Sequence, residues 1–218
     1  MKLAHYEPLS LSDFPGMLAT TVFTVGCNFA CPYCHNPELV TTSPETPRLT
    51  EEDFFAFLER RKGKLTGVCI TGGEPTLHPD LPEFIRHVRA LRYAVKLDTN
   101  GSDPEMLEHL LKEQLLDYVA MDVKAPAARY AEIACNPQAY DAARISLQLL
   151  GQSRIPHEFR TTVLPALFSE ADIAGIATML PAGSQYMIQN FVASKILDAG
   201  LAHEQGFPSD VLKDIGAH

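Results

Sequence analysis

The sequence predicts an α/β protein in which six parallel strands alternate with five helices. Two observations support this prediction. Short apolar or β-branched segments recur along the chain, and amphipathic segments with helical spacing separate them. Parallel neighbours need such a crossover, because both strands run in the same direction. The alternation fits either an open doubly wound sheet or a barrel.

The chain length favours an incomplete barrel. A complete barrel of eight units takes about 250 residues, so six units are expected to form a partial, open-sided (β/α)6 barrel of the TIM type. The 218 residues suffice for one such domain over 1–218, with its core at about 18–192. A short tail, 201–218, holds one predicted helix after Pro208.

Each predicted strand is a short apolar or β-branched run that leads into a turn or loop. The first, LATTVFTV, leads directly into a cysteine-rich loop, and the second, GVCIT, ends in GGEP. The third, AVKLDT, precedes an Asn-Gly turn, and the fifth, HEFRTTVLP, ends at its own proline. The six predicted strands are 18–25, 67–71, 94–99, 117–124, 157–165 and 184–192.

Capping residues mark the starts of several predicted helices. Thr50 and Asp53 have the spacing of a capping box, as do Ser169 and Asp172. Asp103 precedes a proline at a helix start, where proline is tolerated. The five predicted helices are 50–63, 81–92, 104–114, 138–152 and 169–180.

Composition and charge argue against two classes of binding partner. The net charge of −9 and the pI of about 5.3 oppose binding to nucleic acid or to an anionic membrane surface, which attract clustered Lys and Arg. No apolar run is long enough to span a bilayer, and the first sixteen residues lack the hydrophobic block of a signal peptide. We therefore expect a cytoplasmic protein whose cysteines stay reduced and serve metal binding or catalysis.

The distinctive polar residues follow the predicted strands. In parallel α/β folds, ligand sites lie at the carboxyl ends of the strands. The cysteine loop follows the first strand, and Gly72, Gly73 and Glu74 follow the second. The later strands contribute Asp98, Thr99, Asn100, Asp122, Lys124, Arg160, Thr162, Gln189 and Asn190. The pattern predicts one site at this edge of the sheet.

Three of the five cysteines lie within eight positions of the loop, in the spacing C-x3-C-x2-C. They are Cys27, Cys31 and Cys34. Thiolates are ligands for zinc, copper(I) or iron–sulfur clusters. A four-iron cluster held by three cysteines would leave one iron free to bind a substrate or cofactor, much as catalytic zinc sites keep an open position.

A structural zinc site would instead need a fourth ligand. His35 directly follows the last cysteine of the motif, which makes chelation of one ion by both residues awkward. Cys69 lies within an apolar strand, where a free cysteine behaves as a small hydrophobic residue. Cys135 is more than a hundred residues away along the chain. Zinc is therefore the weaker hypothesis for this motif.

The cysteine spacing, with Tyr33 before its last cysteine, resembles the cluster motif of the radical S-adenosylmethionine superfamily. The likeness covers about 11–192, and LSDFPGMLATTVFTVGCNFACPYCHNPEL is similar to the opening of glycyl-radical enzyme activases. It is most similar to the activases of anaerobic ribonucleoside-triphosphate reductase, which are related to pyruvate formate-lyase activase.

The resemblance implies a radical SAM core with a 4Fe–4S cluster on three cysteines and S-adenosylmethionine on its open iron. Reductive cleavage of S-adenosylmethionine there gives a deoxyadenosyl radical. This radical abstracts hydrogen from a glycine of a partner enzyme. Tyr33 is included among the cofactor-binding residues because it belongs to the motif.

The resemblance also implies roles for residues at the strand ends. Gly72, Gly73 and Glu74 match the glycine-rich motif that contacts the methionine amino group. Glycine there would let the backbone approach the ligand closely. Arg160 and Gln189 are the candidates for contacts with ribose or adenine, although either could be an ordinary, satisfied polar residue.

Two further segments resemble pyruvate formate-lyase activase: Asp98 with Asn100, and Asp122 with Lys124. The resemblance implies that Lys124 assists the methionine carboxylate, for which a compact ammonium is suited. It also implies that the aspartates hold a monovalent cation beside that carboxylate. The alternative is an ion pair between Asp98 and Lys124 across neighbouring strand ends.

Two departures favour the ribonucleotide reductase branch. MIQNFV, 187–192, lacks the proline and histidine expected for pyruvate formate-lyase activase, and there is no second cysteine-rich insert. The implied partners are a glycyl-radical enzyme, most simply anaerobic ribonucleotide reductase, and a cytosolic electron donor. His35 is interpreted as shaping the loop.

Two other hypotheses stay open at the level of sequence. One is a radical SAM enzyme that acts on a small molecule, such as a deazapurine-forming enzyme. The other is a non-catalytic, zinc-binding interaction module. Metal content and reaction products distinguish all three hypotheses.

Overall fold

A computed structural model describes residues 1–40 and 48–216 of the chain and contains a seven-stranded sheet. The strands are β1 (Leu3–Ser10), β2 (Ala19–Thr24), β3 (Gly67–Gly72), β4 (Ala94–Thr99), β5 (Tyr118–Asp122), β6 (His157–Val163) and β7 (Gln185–Asn190). The helices are α1 (Pro37–Val40), α2 (Glu51–Arg61), α3 (Leu81–Ala90), α4 (Pro104–Lys112), α5 (Tyr130–Ala134), α6 (Ala139–Gln152), α7 (Glu170–Ala177) and α8 (Ser209–Gly216). The last two residues of the predicted tail lie outside the described range.

The strands are arranged in the sheet in their order along the chain. Strands β2 to β7 are parallel to their neighbours, and β1 is antiparallel to β2. A doubly wound sheet would reverse its strand order at a switch point, and no reversal occurs among the described strands. Strands β1 and β7 are the two edges, so the sheet is not closed. The predicted partial barrel is confirmed.

The predicted elements are all present, with ends shifted by three residues at most, and α8 occupies the predicted place in the tail. The count of strands was wrong, because β1 adds a seventh. Its pairing with β2 is irregular between Leu3 and His5 and again between Glu7 and Ser10. Each irregularity shifts the alternation of side chains, and Pro8 is atypical of a strand interior, so the sequence of β1 lacks a clear strand pattern. The short helices α1 and α5 are also additions.

The two faces of the sheet differ in polarity, as β4 shows. Val95 and Leu97 are fully buried in the apolar core that the helices cover. Lys96 and Asp98 alternate with them and face the inside of the barrel, where the Lys96 ammonium pairs with the Asp98 carboxylate. Lys96 is only 1% exposed although it is charged. The barrel interior therefore holds ionic contacts below the site.

Helix α2 supplies the aromatic part of the core. The Thr50 hydroxyl caps the helix by accepting a hydrogen bond from the N–H of Asp53 at 3.1 Å. Phe54 is fully buried and stacks on Phe84 of α3, with ring centroids 5.9 Å apart. These rings hold two crossover helices against the same face of the sheet. None of the helices in the described ranges is both long and apolar enough to cross a membrane.

Replacing Phe54 by alanine should lower the free energy of unfolding by about 3–5 kcal/mol, because a buried ring is replaced by a cavity. Urea denaturation followed by circular dichroism measures this change. Leu11→Ala is the control, since Leu11 is 73% exposed and its removal should change little. Equal effects of the two substitutions would contradict the assignment of Phe54 to the core.

Candidate active site

The cysteine loop between β2 and α1 is fastened by backbone hydrogen bonds from distant parts of the chain. Within the loop, the N–H of Cys34 donates to the carbonyl of Cys31 at 3.0 Å. From the segment that follows β7, the N–H of Leu197 donates to the carbonyl of Cys34 at 3.2 Å, and that of Asp198 to the carbonyl of Pro32 at 2.9 Å. The loop is thus held in one conformation from outside as well as from within.

Burial keeps the three thiols neutral in the protein alone. It raises the pKa of Cys27 to about 11 and that of Cys31 to about 12, and it also raises the pKa of Cys34. The N–H of Phe29 donates to Cys27 Sγ at 3.4 Å, which offsets part of this effect. Soft, desolvated thiols are suitable ligands for an iron–sulfur cluster, because binding to iron compensates for the free energy that their deprotonation costs.

Within residues 1–40 and 48–216, no three His, Cys, Asp or Glu side chains converge on a point as ligands of a single ion would. A four-iron cluster has no such requirement, because each thiolate binds a different iron. The arrangement of the three cysteines is therefore compatible with a cluster.

One cavity at the carboxyl ends of the strands brings together nearly all the predicted site residues. It is lined by Cys27, Cys31, Tyr33, Cys34, Gly72, Gly73, Glu74, Asp98, Asn100, Asp122, Lys124 and Gln189. Arg160 does not line it and lies behind the two aspartates. The lining also includes Phe29, Val40 and Thr71, which carry no sequence signal of a site. Their positions follow from the loop path and the ends of the strands.

The Gly72–Gly73 turn is packed against the backbone at the start of the cysteine loop. Gly72 has φ +114°, and a Cβ on it would lie 2.4 Å from the nitrogen of Thr24. A Cβ on Gly73 would lie 2.0 Å from the carbonyl oxygen of Gly26. The N–H of Gly73 donates to the Thr24 carbonyl at 2.9 Å. The glycines are thus required by this contact between two backbone segments, whatever the turn binds.

Both carboxylate oxygens of Glu74 accept hydrogen bonds from other residues of the protein. Its Oε1 accepts from the Thr76 N–H at 3.1 Å, the Thr76 hydroxyl at 2.6 Å and the Thr99 hydroxyl at 2.7 Å. Its Oε2 accepts from the N–H of Asn100 at 2.7 Å. Burial raises the pKa of Glu74, although these hydrogen bonds oppose the shift. Glu74 therefore joins the ends of β3 and β4.

Asn100 connects the end of β4 to the cysteine loop. Its Nδ2 donates to Asn28 Oδ1 at 3.1 Å and approaches Cys27 Sγ at 3.8 Å. Its Oδ1 accepts from the N–H of Ser102 at 2.9 Å, which orients the amide. The side chain lies within hydrogen-bonding reach of a cysteine sulfur, where it can stabilise a thiolate.

Charged residues of alternating sign form a chain that includes Asp98, Asp122 and Lys124 of the cavity lining. The Arg160 guanidinium reaches Asp98 Oδ2 at 3.1 Å and Asp122 Oδ1 at 3.0 Å, and Lys124 Nζ reaches Asp122 Oδ2 at 3.0 Å. Burial alone would raise the pKa of Asp122, but Arg160 and Lys124 hold it well below its ordinary value. The alternative of an Asp98–Lys124 ion pair is not what the described residues show, since each has other partners.

Two aromatic contacts shape the loop. Tyr33 is buried, and its hydroxyl donates to the carbonyl of Lys124 at 3.3 Å, which ties the loop to the end of β5. The His35 ring stacks on Phe191 with centroids 5.7 Å apart, and its Nε2 lies 3.2 Å from the carbonyl of Val192. These contacts agree with the interpretation of His35 as a loop-shaping residue.

The remaining cysteines lie apart from the cavity lining. Cys69 faces the barrel interior, with its sulfur 3.9 Å from Lys96 Nζ. Cys135 is exposed at the end of α5. It is nevertheless near the loop in space, because the N–H of Ala30 donates to the carbonyl of Ala134 at 3.1 Å. Distance along the sequence was therefore a poor argument for setting Cys135 aside.

Three cysteines of one loop line a cavity at the carboxyl ends of the strands of a partial barrel, which is where enzymes of this architecture have their active sites. The family model of the radical SAM superfamily matches residues 21–177, more than half of the chain. The chain belongs to the radical SAM superfamily. This membership makes it an enzyme and sets aside the non-catalytic zinc module.

Relatives with assigned names indicate which enzymes of the superfamily this chain resembles. A protein of Methanocaldococcus jannaschii, provisionally named a glycyl-radical enzyme activating enzyme, is 34% identical over 84% of this chain and 77% of its own length. The pyruvate formate-lyase-activating enzyme of Listeria monocytogenes is 30% identical over 54% of this chain and 51% of that enzyme. The 7-carboxy-7-deazaguanine synthase of Aquifex aeolicus is 31% identical over 40% of this chain and 38% of that enzyme.

A solved structure supports the fold. The structure of native anSMEcpe with bound AdoMet superposes with a TM-score of 0.60 at 17% identity, over 78% of this chain and 50% of that one. Similarity at this level of identity concerns the fold alone. The AdoMet in that structure shows what that protein binds.

Replacing Cys27, Cys31 or Cys34 by alanine should reduce iron and sulfide content after anaerobic reconstitution to background, because each thiolate would hold a separate iron. Cys69→Ala and Cys135→Ala are matched controls that should keep both at the level of the unmodified protein. Iron and sulfide analysis with visible absorption spectra measures the outcome. A full cluster in any of the first three variants would disprove the ligand assignment.

Gly73→Ala should lower the free energy of unfolding by about 1–3 kcal/mol, because the new methyl group overlaps the Gly26 carbonyl. The same displacement should reduce cluster content. Gly175→Ala in α7 is the control, since its Cβ would meet Pro126 Cβ at an ordinary 3.4 Å. Denaturation curves and iron analysis on both variants test this, and an unperturbed Gly73→Ala protein would refute the packing argument.

Proposed function

We propose that this enzyme activates a glycyl-radical protein by reductive cleavage of S-adenosylmethionine at a 4Fe–4S cluster. The observation that carries the proposal is the cavity that Cys27, Cys31 and Cys34 line together with the polar residues at the strand ends. The relative from Methanocaldococcus jannaschii, which spans most of the chain, supports the activase class.

Cys27, Cys31 and Cys34 would hold the cluster, which in its reduced form would supply the one electron that splits the sulfonium into methionine and a deoxyadenosyl radical. Transfer of a hydrogen atom from a glycine of the partner to this radical would give deoxyadenosine and a glycyl radical. The chain itself contributes the positioning of S-adenosylmethionine beside the cluster. The cavity lies at the carboxyl ends of the strands, where the loops can arrange several polar groups around one ligand.

Lys124 is the proposed partner of the methionine carboxylate. Burial alone would lower its pKa, but Asp122 raises it well above the ordinary value, so the amine stays an ammonium. Of its three N–H donors, one is directed at Asp122 Oδ2. The others are available to a carboxylate in the cavity. The backbone of the Gly72–Gly73 turn is the proposed contact for the methionine amino group.

Gln189 is the better of the two candidates for ribose or adenine. It lies at the end of β7 and lines the cavity. The Arg160 guanidinium is already shared between Asp98 and Asp122. An amide can donate and accept hydrogen bonds at once, which suits a nucleoside. Arg160 is therefore assigned to supporting the aspartates.

The proposed partner is anaerobic ribonucleoside-triphosphate reductase, with a cytosolic protein as electron donor. The similarity of the cysteine-loop region to that activase branch supports this choice, as do the departures from pyruvate formate-lyase activase in 187–192. A second candidate function is modification of a small molecule. The match to 7-carboxy-7-deazaguanine synthase favours it, but that match covers only 40% of the chain.

Anaerobic incubation of the reconstituted enzyme with S-adenosylmethionine, a reductant and anaerobic ribonucleotide reductase should produce a glycyl radical. Electron paramagnetic resonance detects the radical, and chromatography measures deoxyadenosine. The radical should be lost when the reductase glycine is replaced by alanine. Cys31→Ala should abolish both products, because the cluster is then incomplete.

Parallel incubations separate the candidates. A glycyl radical on pyruvate formate-lyase and none on the reductase would keep the activase class and change the partner. Formation of 7-carboxy-7-deazaguanine, with no radical on either protein, would establish the small-molecule function instead. Absence of deoxyadenosine from the fully reconstituted enzyme would overturn the proposed chemistry altogether.

A further inference from the structure

The two aspartates expected to hold a monovalent cation have no unpaired carboxylate oxygen. Asp98 Oδ1 pairs with the Lys96 ammonium, and Asp98 Oδ2 lies 3.1 Å from the Arg160 guanidinium. Asp122 Oδ1 lies 3.0 Å from Arg160 Nε, and Asp122 Oδ2 lies 3.0 Å from Lys124 Nζ. Each of the four oxygens already has a cationic nitrogen donor, so an alkali ion would have to share it with an ammonium or a guanidinium.

The charges in this group are balanced without a bound ion. Three protein cations, Lys96, Arg160 and Lys124, face Asp98 and Asp122. Glu158 supplies the third negative charge, with Oε1 4.0 Å from the Arg160 guanidinium. Placing a further positive ion among them would leave excess charge in a poorly hydrated interior, which is costly.

Arg160 is suited to replace such an ion. It projects from β6, and its side chain, 15% exposed, reaches Asp98 of β4 and Asp122 of β5 with two different nitrogens. A guanidinium is planar and always charged, so it fixes both the distance and the orientation of the two carboxylates. An alkali ion between the two aspartates would also attract both carboxylates, but it would not be covalently attached to the chain.

We propose that Arg160 is a positioning residue that takes the place of a monovalent cation, and that the native site binds no alkali ion. Arg160 holds Asp98 and Asp122, and through Asp122 it orients the Lys124 ammonium towards the cavity. The pKa of Asp122, which Arg160 and Lys124 hold below its ordinary value, agrees with a fully ionised group. The role of Lys124 rests on the proposed function, whereas the absence of alkali-ion binding can be tested without the reaction.

Thermal unfolding of the reconstituted protein tests ion binding directly. Transitions are compared in potassium, sodium and tetramethylammonium chloride at equal ionic strength, since tetramethylammonium is too large to fill an ion site. The unmodified protein should melt at the same temperature in all three salts. Arg160→Met should melt lower in tetramethylammonium chloride and should regain stability in a saturable way with sodium or potassium, because the aspartates then lack their shared cation.

Two further variants separate this role from a general loss of a salt bridge. Arg86→Met is the matched control, because Arg86 also bridges two carboxylates, Glu83 and Glu113, but at the surface. It should show no selectivity among the salts. Arg160→Lys keeps the charge and loses the planar fork, and it should be less dependent on alkali ions than Arg160→Met.

Equilibrium dialysis with S-adenosylmethionine provides the second measurement. Binding to the unmodified protein should be equally tight in potassium and in tetramethylammonium chloride, while Arg160→Met should bind more tightly when an alkali ion is present. Saturable stabilisation of the unmodified protein by sodium or potassium would overturn the proposal, even if Arg160→Met fails to fold. Failure of the enzyme to cleave S-adenosylmethionine would end the proposed function and leave the thermal result intact.

Discussion

The close contact between the end of β2 and the turn after β3 is the constraint on which the site depends. Gly72 and Gly73 have no side chains, and this lets their backbone lie against Thr24 and Gly26. The contact sets where the cysteine loop leaves the sheet. Glu74 continues it by binding the end of β4. Three neighbouring strand ends are thus joined by backbone and buried hydrogen bonds before any ligand arrives.

The polarity of the barrel interior follows from its open architecture. A closed eight-stranded barrel fills its interior with layers of branched apolar side chains. Here the sheet has two edges and its inner face holds Lys96, Asp98, Arg160 and Asp122. The apolar core lies on the other face, beneath the helices. Stability and site chemistry are therefore assigned to opposite faces of one sheet.

Much of this arrangement can be predicted from sequence, for definite reasons. Parallel strands buried by helices have continuous apolar runs, so six strands and the edge that carries the site are evident. Strand β1 is not, because its register irregularities disturb the alternation and Pro8 is atypical of strands. Side-chain contacts between different strands cannot be predicted from the sequence either. Lys96 lies beside Cys69 of the neighbouring strand, and Glu74 accepts a hydrogen bond from Thr99 at the end of β4, and neither contact is evident before the strands are paired.

The hydrogen bonds from Leu197 and Asp198 to the cysteine loop have a consequence for biosynthesis. The ribosome makes the loop early and these two residues about 160 positions later, since synthesis runs from the N-terminus. The loop therefore lacks two of its native hydrogen bonds while most of the chain is being translated. The full set of hydrogen bonds that holds the loop can therefore form only after the distal segment has left the ribosome.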